Sequence, residues 1–594
     1  MIATKIGVVF AILAVLCCIK SSVQLDRKRM IVADIPGVGK VKGRRIETAW
    51  SGKNIFQFFD IKYAESPSGE RRFKAPVPAK PWNDVRSAFT PRKGCPSLQA
   101  LEFVRKNEAK RDVEDCLFLT ISTKNLTQSK PVMVYLHGEF LYEGTTLEAS
   151  PEYLLEKNVV LVAVRYRLAP FGFLSTKTEA LPGNAALMDV ILALEWVQKY
   201  IKYFGGDPNS VTLFGQVGGA AMANVLTMSP KVSPNLFHRV IYQSGSALTP
   251  AFTTEHPLKY SKDIGRIAGC NSDDIDKLNR CFMRMNSTTL LEAFAIHGNL
   301  NSAKGIGSYG GLQFTVGGPS GILPEHPGKL VQQKKIRYLP TMGGVVKNAG
   351  TFLLKEIFED NFNGTIPDDK FNADKYISHI IKQTNGDDPT GAWKNFAEAD
   401  FFTEKELKDG TFKSMIPGLI DMCGTIAFKN PVLLALKANA EKLPNSTYLY
   451  SFNYEGEYNR YTSEEDFDTD LPFHLGVSLT DENIYLFPWP QHVAYLNNYD
   501  TKIAKRMISL WTSFATKGVP RATKIKNWPP MTGETGPYLR IDNSSTIEAN
   551  FVKEYSITGQ DSHNGDSLVD EEYFQSLTQN EEEDDELEDD DDKQ

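Results

Sequence analysis

Residues 211–224 read "VTLFGQVGGAAMAN", an apolar run that passes through "GQVGG" into a stretch of small residues. This pattern predicts a strand, a sharp turn and the start of a helix. A turn of this kind with the form G-x-S-x-G exposes a nucleophilic serine. Here Val217 stands at the serine position, between Gly215 and Gly219. The stretch therefore predicts a turn built for a nucleophile that carries none.

Predicted strands and helices alternate around this turn. Residues 130–137 and 159–168 are β-branched apolar runs typical of buried parallel strands. Residues 186–208 show helical spacing, and residues 237–245 predict a further strand. This alternation predicts an α/β fold with a large, mostly parallel central sheet and helices on both faces. The second half of the chain is less periodic and predicts only a mixture of helices and strands.

Composition and the N-terminus divide the chain into three parts. Of the 594 residues, 41% are hydrophobic and 11% aromatic, which is typical of a packed globular protein. Residues 1–22 combine Lys5 with an apolar run too short to span a bilayer, and they predict a cleavable secretory signal peptide. A short membrane anchor is the alternative. Residues 27–555 are predicted to form one domain. No later stretch approaches 18 uninterrupted apolar residues, so we expect a soluble, secreted protein.

The C-terminal end differs sharply in charge. Residues 561–594 contain sixteen acidic residues and one lysine, a net charge of -15, and the rest of the chain is therefore +8. Such a segment cannot bury enough apolar surface to offset its ordering entropy, which predicts a disordered acidic tail. Tyr573 lies among carboxylates and is a candidate for sulfation, with an unmodified side chain as the default. The tail could bind basic proteins or divalent cations, or fold back on the basic body.

Cysteines and glycosylation sequons agree with an oxidising compartment. The spacing suggests two small loops, Cys95–Cys116 and Cys270–Cys281, and leaves Cys423 odd, although spacing alone does not determine the pairing. No C-x-x-C pair or His/Cys cluster indicates a metal site, and no cofactor is predicted. N-x-[S/T] sequons behind a signal peptide favour a glycosylated protein. They occur at Asn125, Asn286, Asn363, Asn445 and Asn543.

Several segments, in order, resemble the carboxylesterase/cholinesterase family of α/β-hydrolases. They are "GKVKGRRIETAWSGKNIFQFFDIKYAESPSGERRFKAPVPAKPW", "EDCLFLTI", "YRLAPFGFLST", "LPGNAALMDVILALEWVQKYIKYFGGDPNSVTLFG", "LFHRVIYQSGSAL" and "GVSLTDENIYLF". The resemblance covers nearly all of residues 27–555 and implies one large α/β-hydrolase domain. It also implies the disulfides Cys95–Cys116 and Cys270–Cys281. A third family bridge has no counterpart, so Cys423 stays unassigned.

The resemblance locates the positions of the family's catalytic triad. The nucleophile motif G-E-S-A-G or G-Q-S-A-G matches residues 215–219, which places Val217 at the serine. The histidine motif matches "GVSLTDE", which places Leu479 at the histidine, and the acid motif matches residues 347–350, which places Ala349 at the carboxylate. Valine, leucine and alanine cannot move a proton or attack a carbonyl. No substitute G-x-S-x-G occurs elsewhere in the chain.

Neighbouring residues do not restore the reaction. His474 lies five residues before Leu479, out of reach of the turn, and we expect it to be a half-buried structural histidine. Glu356 or Asp360 could replace the acid, but no histidine remains for either to orient.

The family's oxyanion loop, H-G-G-(G/A), matches residues 137–140, where Glu139 and Phe140 replace glycines. A carboxylate and a bulky ring there oppose oxyanion binding and narrow the pocket. Because a β-branched residue is strained at positive φ, we also expect the turn at Val217 to have relaxed, through Gly218.

Three functions remain, in decreasing order of support. The first is a secreted, non-catalytic glycoprotein that acts in extracellular protein interaction, adhesion or matrix. The resemblance extends to cholinesterase-like adhesion proteins, several of which lack the triad, and a secreted, acidic-tailed chain resembles the matrix members among them. The second is a non-hydrolysing binder of a lipophilic ester or hormone in a vestigial esterase gorge. The third is an active carboxylesterase with unconventional residues. We expect an extracellular protein partner. The resemblance implies a homodimer as an alternative, and we expect no binding to nucleic acid.

Overall fold

A computed structural model describes most of the chain. The described residues are 30–138, 140–302, 313–362, 371–385, 388–460, 471–488, 496–525, 527–558 and 568–571. The predicted signal peptide, Glu139, Asn363, Tyr573 and most of the acidic tail lie outside these ranges. The side chains of Glu356 and Asp360 also lie outside the description.

Thirteen of the described strands form one large sheet. Its order is β1-β2-β3-β5-β7-β6-β8-β9-β12-β13-β14-β15, with β4 paired to β2, and β10 and β11 form a separate two-stranded sheet. The strands are β1 Met30–Ile35, β2 Gly39–Glu47, β3 Asn54–Lys62, β4 Val85–Ser87, β5 Phe118–Thr123, β6 Lys130–Leu136, β7 Val160–Val164, β8 Gly206–Gln216, β9 Arg239–Gln243, β10 Thr253–Thr254, β11 Phe314–Thr315, β12 Thr341–Val346, β13 Thr447–Phe452, β14 Tyr538–Ile541 and β15 Thr546–Glu548.

Strand direction divides the sheet into a parallel centre and antiparallel edges. From β7 through β14 every neighbouring pair is parallel. Antiparallel pairs join β1, β2, β3, β5 and β7 at one edge, and β14 and β15 at the other. β7 and β12 are buried along their length, and β6 and β8 are buried in their C-terminal parts, because connections cover both faces of a parallel sheet. The predicted α/β-hydrolase fold is confirmed.

Most of the described helices connect the strands of the parallel centre. The described helices are α1 Leu101–Asn107, α2 Ala169–Phe173, α3 Ala185–Tyr200, α4 Gly218–Met228, α5 Pro257–Ile267, α6 Ile275–Arg284, α7 Ser287–Ser302, α8 Pro327–Gln332, α9 Gly350–Phe362, α10 Ala373–Asn385, α11 Ala392–Phe401, α12 Glu404–Asp409, α13 Phe412–Gly424, α14 Asn430–Ala440 and α15 Asn498–Lys517. Helix α1 precedes β5 at the antiparallel edge. A π-helical turn, Thr425–Lys429, joins α13 to α14. The helix predicted before the nucleophile turn is α3.

One apolar helical stretch escaped the sequence analysis. Phe412–Ala440 is long and apolar enough to cross a membrane by length and composition, but 83% of its most apolar window is buried inside the described protein. A search for uninterrupted apolar residues missed it because Asp421 and Lys429 interrupt the run. This degree of burial is typical of a core helix.

Both suggested disulfides are present. Cys95 bonds to Cys116, and Cys270 bonds to Cys281. Cys423 is free and fully buried in α13, where burial raises the pKa of its thiol to about 12. A thiol with so high a pKa is neutral at physiological pH and unreactive.

The prediction that residues 561–594 are disordered is wrong for four of them. Val569 forms an antiparallel bridge with Phe473, and the backbone N–H of His474 donates to the carbonyl of Leu568 at 2.7 Å. Leu568 and Val569 pack against the apolar core, and Glu571 pairs with Lys413 at 2.7 Å. These two apolar side chains bury surface against the core, although the average composition of the segment is strongly acidic.

A buried ion pair joins the loop after β7 to α3. The guanidinium of Arg167 donates to both oxygens of Asp189, at 2.7 Å and 2.6 Å, and both side chains are at most 2% exposed. Burial raises the pKa of Asp189, while the charge and hydrogen bonds of Arg167 oppose that rise. A bidentate pair of this kind is strong, but either partner alone would be an uncompensated buried charge.

Asp189→Asn should therefore destabilise the fold by about 3–5 kcal/mol, because it leaves the Arg167 charge buried without a counterion. Denaturant unfolding followed by tryptophan fluorescence measures the change. The matched control is Glu102→Gln, which breaks the exposed pair of Lys106 and Glu102 and should leave the midpoint unchanged. Equal midpoints for the two variants would contradict the role given to Asp189.

Candidate functional site

The turn between β8 and α4 keeps the strained geometry of a nucleophile turn. Val217 has φ +45° and ψ −109° and is fully buried. The expectation that this turn relaxes is wrong. A β-branched residue in this region costs about 1–3 kcal/mol, so the surrounding structure must hold it there.

Close contacts between backbones hold the turn. A β-carbon on Gly219 would lie 2.1 Å from the carbonyl oxygen of Leu136, and one on Gly215 would lie 2.6 Å from the same atom. A β-carbon on Gly245 would lie 2.1 Å from the carbonyl oxygen of Val217. The three glycines let β6, β8 and the loop after β9 approach the turn so closely that its path has no room to change. The side chain at position 217 adapts to that path.

Hydrogen bonds complete the support of the turn. The N–H of Val217 donates to the carbonyl of Gln243 at 2.8 Å, and the carbonyl of Val217 accepts from the N–H of Ala221 at 2.9 Å. Beneath the turn, the amide of Asn483 donates to Gln216, and Gln243 donates to Asn483 at 2.9 Å. This buried amide network ties β8 and β9 to the segment that follows Leu479.

The loops that match the family's acid and histidine motifs still lie against each other. The N–H of Asn348 donates to the carbonyl of Val477 at 3.0 Å, and the Oδ1 of Asn348 accepts from the N–H of Val477 at 3.1 Å. Ala349 is fully buried and Leu479 is 1% exposed. The frame that would orient an acid and a histidine is present, and apolar side chains occupy both positions.

His474 does not replace the missing base. It is exposed rather than half-buried, which corrects the expectation from the sequence, because its backbone pairs with Leu568 while its side chain faces solvent. Glu356 and Asp360 lie in α9, but their side chains fall outside the described residues.

The loop after β6 has collapsed onto the turn. Gly138, Phe140 and Leu141 all have positive φ. A β-carbon on Gly218 would lie 3.0 Å from the backbone nitrogen of Leu141 and 3.1 Å from its side chain. Glycine at 218, where the family motif has alanine, therefore fits the present path of this loop. Sequence reasoning did not identify Leu141 as part of the site, although the apolar run "FLY" after the loop's glycine was a usable signal.

Phe140 belongs to the loop that packs against the turn and is buried among aromatic rings. It is only 7% exposed and stacks on Phe352 of α9 with ring centroids 5.4 Å apart. Phe252 and Phe428 lie on other sides of the ring, at 6.1 Å and 6.3 Å. Aromatic contacts of this kind stabilise both by buried area and by edge-to-face or offset geometry. The prediction that Phe140 narrows the pocket follows from its size, but its three aromatic neighbours come from distant segments that no spacing rule connects.

His137 is buried in the same loop. It is 1% exposed, and its ring stacks on Tyr166 with centroids 4.5 Å apart. Burial and the charge of Arg165 lower the pKa of its imidazole to about 3. The ring is neutral at physiological pH, and neither ring nitrogen has a hydrogen-bond partner among the described residues. The imidazole accordingly packs as an aromatic ring within the loop.

Two buried carboxyl groups follow Leu479, and the sequence analysis assigned a role to neither. Asp481 accepts from the backbone N–H groups of Arg460 and Ser478, both at 2.8 Å. Glu482 accepts from Tyr450 at 2.9 Å and from Ser244 at 3.3 Å. Burial raises the pKa of each carboxyl to about 8. These groups are therefore mostly protonated at neutral pH and act as neutral hydrogen-bonding parts of the core.

The predicted glycosylation sites differ in their exposure. Asn286, Asn445 and Asn543 are exposed, and Asn125 is half-buried, with its Oδ1 accepting from Thr127. Within the part of the chain that the structure describes, no group of three or more His, Cys, Asp or Glu side chains is placed to hold a metal ion.

The geometry limits the chemistry at this site. Valine occupies the turn, aliphatic side chains occupy the positions that match the family's histidine and acid, and Phe140 is buried in the loop that packs against the turn. Acyl transfer needs a nucleophile, a base that takes its proton and donors for the oxyanion. The first two groups are missing from the positions that this frame provides.

Comparisons with known proteins agree with the architecture. A model described as the carboxylesterase family matches residues 30–557. Glutactin of Drosophila melanogaster is 33% identical over 533 residues, which cover 88% of this chain and 51% of glutactin. Juvenile hormone esterase of Tribolium castaneum is 30% identical over 84% of this chain and 85% of its own length. Esterase FE4 of Myzus persicae is 30% identical over 86% and 89%. The chain thus spans about half of glutactin but most of the two esterases.

The buried Glu482 carboxyl should make stability depend on pH. Its pKa is raised from an ordinary value of 4.5 to about 8, so the folded state binds the proton more tightly than the unfolded chain. The resulting stabilisation is complete below about pH 4.5 and is lost as pH rises through about 8. Glu482→Gln, which stays neutral, should therefore gain stability relative to the wild type by up to about 1.4 kcal/mol per pH unit across that window. Parallel stability curves for the two proteins from pH 5 to pH 8 would contradict the assignment.

Proposed function

This chain belongs to the carboxylesterase family, as its motifs predicted, and on that premise we propose that it is a secreted, non-catalytic member that acts through its surface. Its role is extracellular protein interaction, adhesion or matrix assembly. The proposal depends on one observation above all. The strained turn is preserved at Val217, while apolar side chains occupy all three positions that match the triad.

The size of the catalytic loss supports this proposal. In a well-studied serine protease, removing the whole triad lowers turnover by about 10⁶, which corresponds to roughly 8 kcal/mol of barrier. The collapsed loop adds to this loss, because Phe140 occupies the site with little exposure. Residual hydrolysis at such a level would not distinguish this chain from any polar protein surface.

An extracellular location is supported by chemistry on the surface. The two disulfides require an oxidising compartment to persist. Three of the five predicted sequons present an exposed asparagine, as glycan attachment requires. The match to glutactin over most of this chain supports a place among the cholinesterase-like adhesion proteins.

The alternative of a lipophilic ligand in the gorge has less support. Phe140 packs against Phe352, Phe252 and Phe428, so a ligand would have to displace a well-packed aromatic cluster. Removing a buried phenylalanine from such a cluster costs about 3–5 kcal/mol.

Restoring the nucleophile alone should not restore activity. We expect neither the wild type nor Val217→Ser to turn over a short-chain aryl ester or to react with a fluorophosphonate, because a serine at position 217 has no base at Leu479 to accept its proton. Labelling is read by gel fluorescence, with an active esterase of the same family as positive control. Stoichiometric labelling of the wild type would overturn the proposal.

Surface binding is the positive test. The purified, secreted full-length protein should bind an immobilised basement-membrane extract saturably. An active esterase of the same fold, with similar size and disulfides, serves as the matched control and should not bind. Binding is measured by biolayer interferometry at physiological salt. Equal binding by both proteins, or by neither, would count against an adhesive or matrix role.

A further inference from the structure

The positive charge of the body is concentrated in its N-terminal part. Residues 30–95 contain thirteen Lys and Arg residues and six Asp and Glu residues, a net charge of +7. This segment includes β1 to β4 and the loop that leads to Cys95. The opposite charge is concentrated at the other end of the chain, where residues 561–594 carry -15. The sequence therefore carries opposite net charges at its two ends.

A cavity of about 470 Å³ lies in the basic segment. It is formed where β2, β3, β4 and β5 meet, and Lys62, Arg86 and Arg92 line it together with the rings of Trp82 and Phe118. Its volume is in the range of small-molecule sites. It is built from the antiparallel edge of the sheet, whereas the nucleophile turn lies at the end of β8 in the parallel centre.

Buried groups fix the wall that carries Arg92. The N–H of Arg92 donates to Asp60 at 2.5 Å, and the guanidinium of Arg165 lies 3.1 Å from the same carboxylate. Arg165 also donates to the carbonyls of Lys93, at 3.2 Å, and Arg92, at 3.3 Å. The disulfide of Cys95 anchors the end of this loop. The backbone of Arg92 is therefore held rigidly while its side chain faces the cavity.

Two arginines present their guanidinium groups at this cavity. Arg92 is exposed and lies over the ring of Phe118 at 5.1 Å, and Arg86 lies over the ring of Trp82 at 4.3 Å. Stacking on an aromatic ring orients a guanidinium and leaves its N–H edge available for a carboxylate.

The carboxylates at the cavity leave this positive edge available. Asp60 is compensated by buried Arg165, and Asp115 pairs with Lys62 at 2.8 Å. Asp84 is 3.9 Å from Arg86 with a side chain that is 73% exposed, a contact too long and too solvated to hold that arginine. Among the described residues, no carboxylate pairs with the Arg92 side chain.

We propose that this cavity is a carboxylate-binding site and that its occupant is the acidic tail of the same chain, residues 572–594. The tail is the segment of matching charge, and bidentate arginine–carboxylate pairs provide the contacts. Its 23 residues can extend to at most about 75 Å. Because the tail is tethered to the body, its binding would be intramolecular, which favours it over free ligands where the tether spans the distance. The proposal is independent of the function proposed above.

A peptide-competition experiment tests this site. A fluorescein-labelled peptide of residues 576–594 is titrated with full-length protein and with a variant that ends at Glu571, and anisotropy is measured at 50 mM NaCl. The truncated protein should bind the peptide at least tenfold more tightly than the full-length protein, because the attached tail competes. Binding should weaken at 300 mM NaCl as salt screens the charges. Equal affinities for the two proteins would overturn the proposal.

Matched charge variants locate the contact. In the truncated protein, Arg86→Gln with Arg92→Gln should weaken peptide binding at least tenfold. Arg45→Gln with Lys53→Gln removes the same charge from exposed positions of the same segment outside the cavity and should change affinity less than twofold. Equal losses in both double variants would mean non-specific attraction and would overturn the proposal.

Two further outcomes would give the cavity a different occupant. A heparin tetrasaccharide that binds full-length and truncated protein equally tightly would make it a site for sulfated saccharides. A concentration-dependent dimer in sedimentation, abolished by Arg86→Gln with Arg92→Gln, would place the tail of a second copy there. Both results would overturn an intramolecular contact, for which a monomer is expected at all concentrations.

Discussion

The structure depends on how closely three glycines allow backbones to approach the end of β8. Gly215 and Gly219 face the carbonyl of Leu136, and Gly245 faces the carbonyl of Val217, at separations that no β-carbon could occupy. This contact sets the path of the turn, the start of α4 and the spacing of the central parallel strands. The strain at Val217 is a consequence of that packing. The turn keeps this strained shape with valine at position 217 because the backbones packed around it leave it no other path.

Apolar side chains at the positions that match the triad occur together with a tightly packed loop after β6. Phe140 of this loop packs against aromatic rings from three distant segments. Leu479 and Ala349 add apolar contacts where charges stood in the family pattern. The buried carboxyls of Asp481 and Glu482 remain, but as neutral hydrogen-bonding groups. The described residues around the turn therefore pack as an apolar core that encloses a few buried polar groups.

Much of this could be predicted from local patterns. Apolar, β-branched runs identified β6, β7, β8 and β9, because burial on both faces leaves a direct mark on composition. Motif order located Val217, Ala349 and Leu479. Local patterns failed where several segments meet. Strain at valine predicted that the turn relaxes, but the backbone contacts that prevent relaxation come from other segments. Four tail residues were expected to be disordered because the acidic composition of the whole segment outweighs the apolar Leu568 and Val569. The cavity at Arg86 and Arg92 left no local signature at all.

The sequence alone determined the fold class, the disulfide candidates, the separation of charge between the two ends and the absence of a nucleophile from its expected position. These properties depend on residue type, period and order, which can be read along one dimension. Only the tertiary structure decided that Val217 stays strained, that Phe140 closes the site and that two arginines converge on one cavity. Those outcomes depend on distances between segments far apart in the chain, and such distances exist only once the backbone has packed.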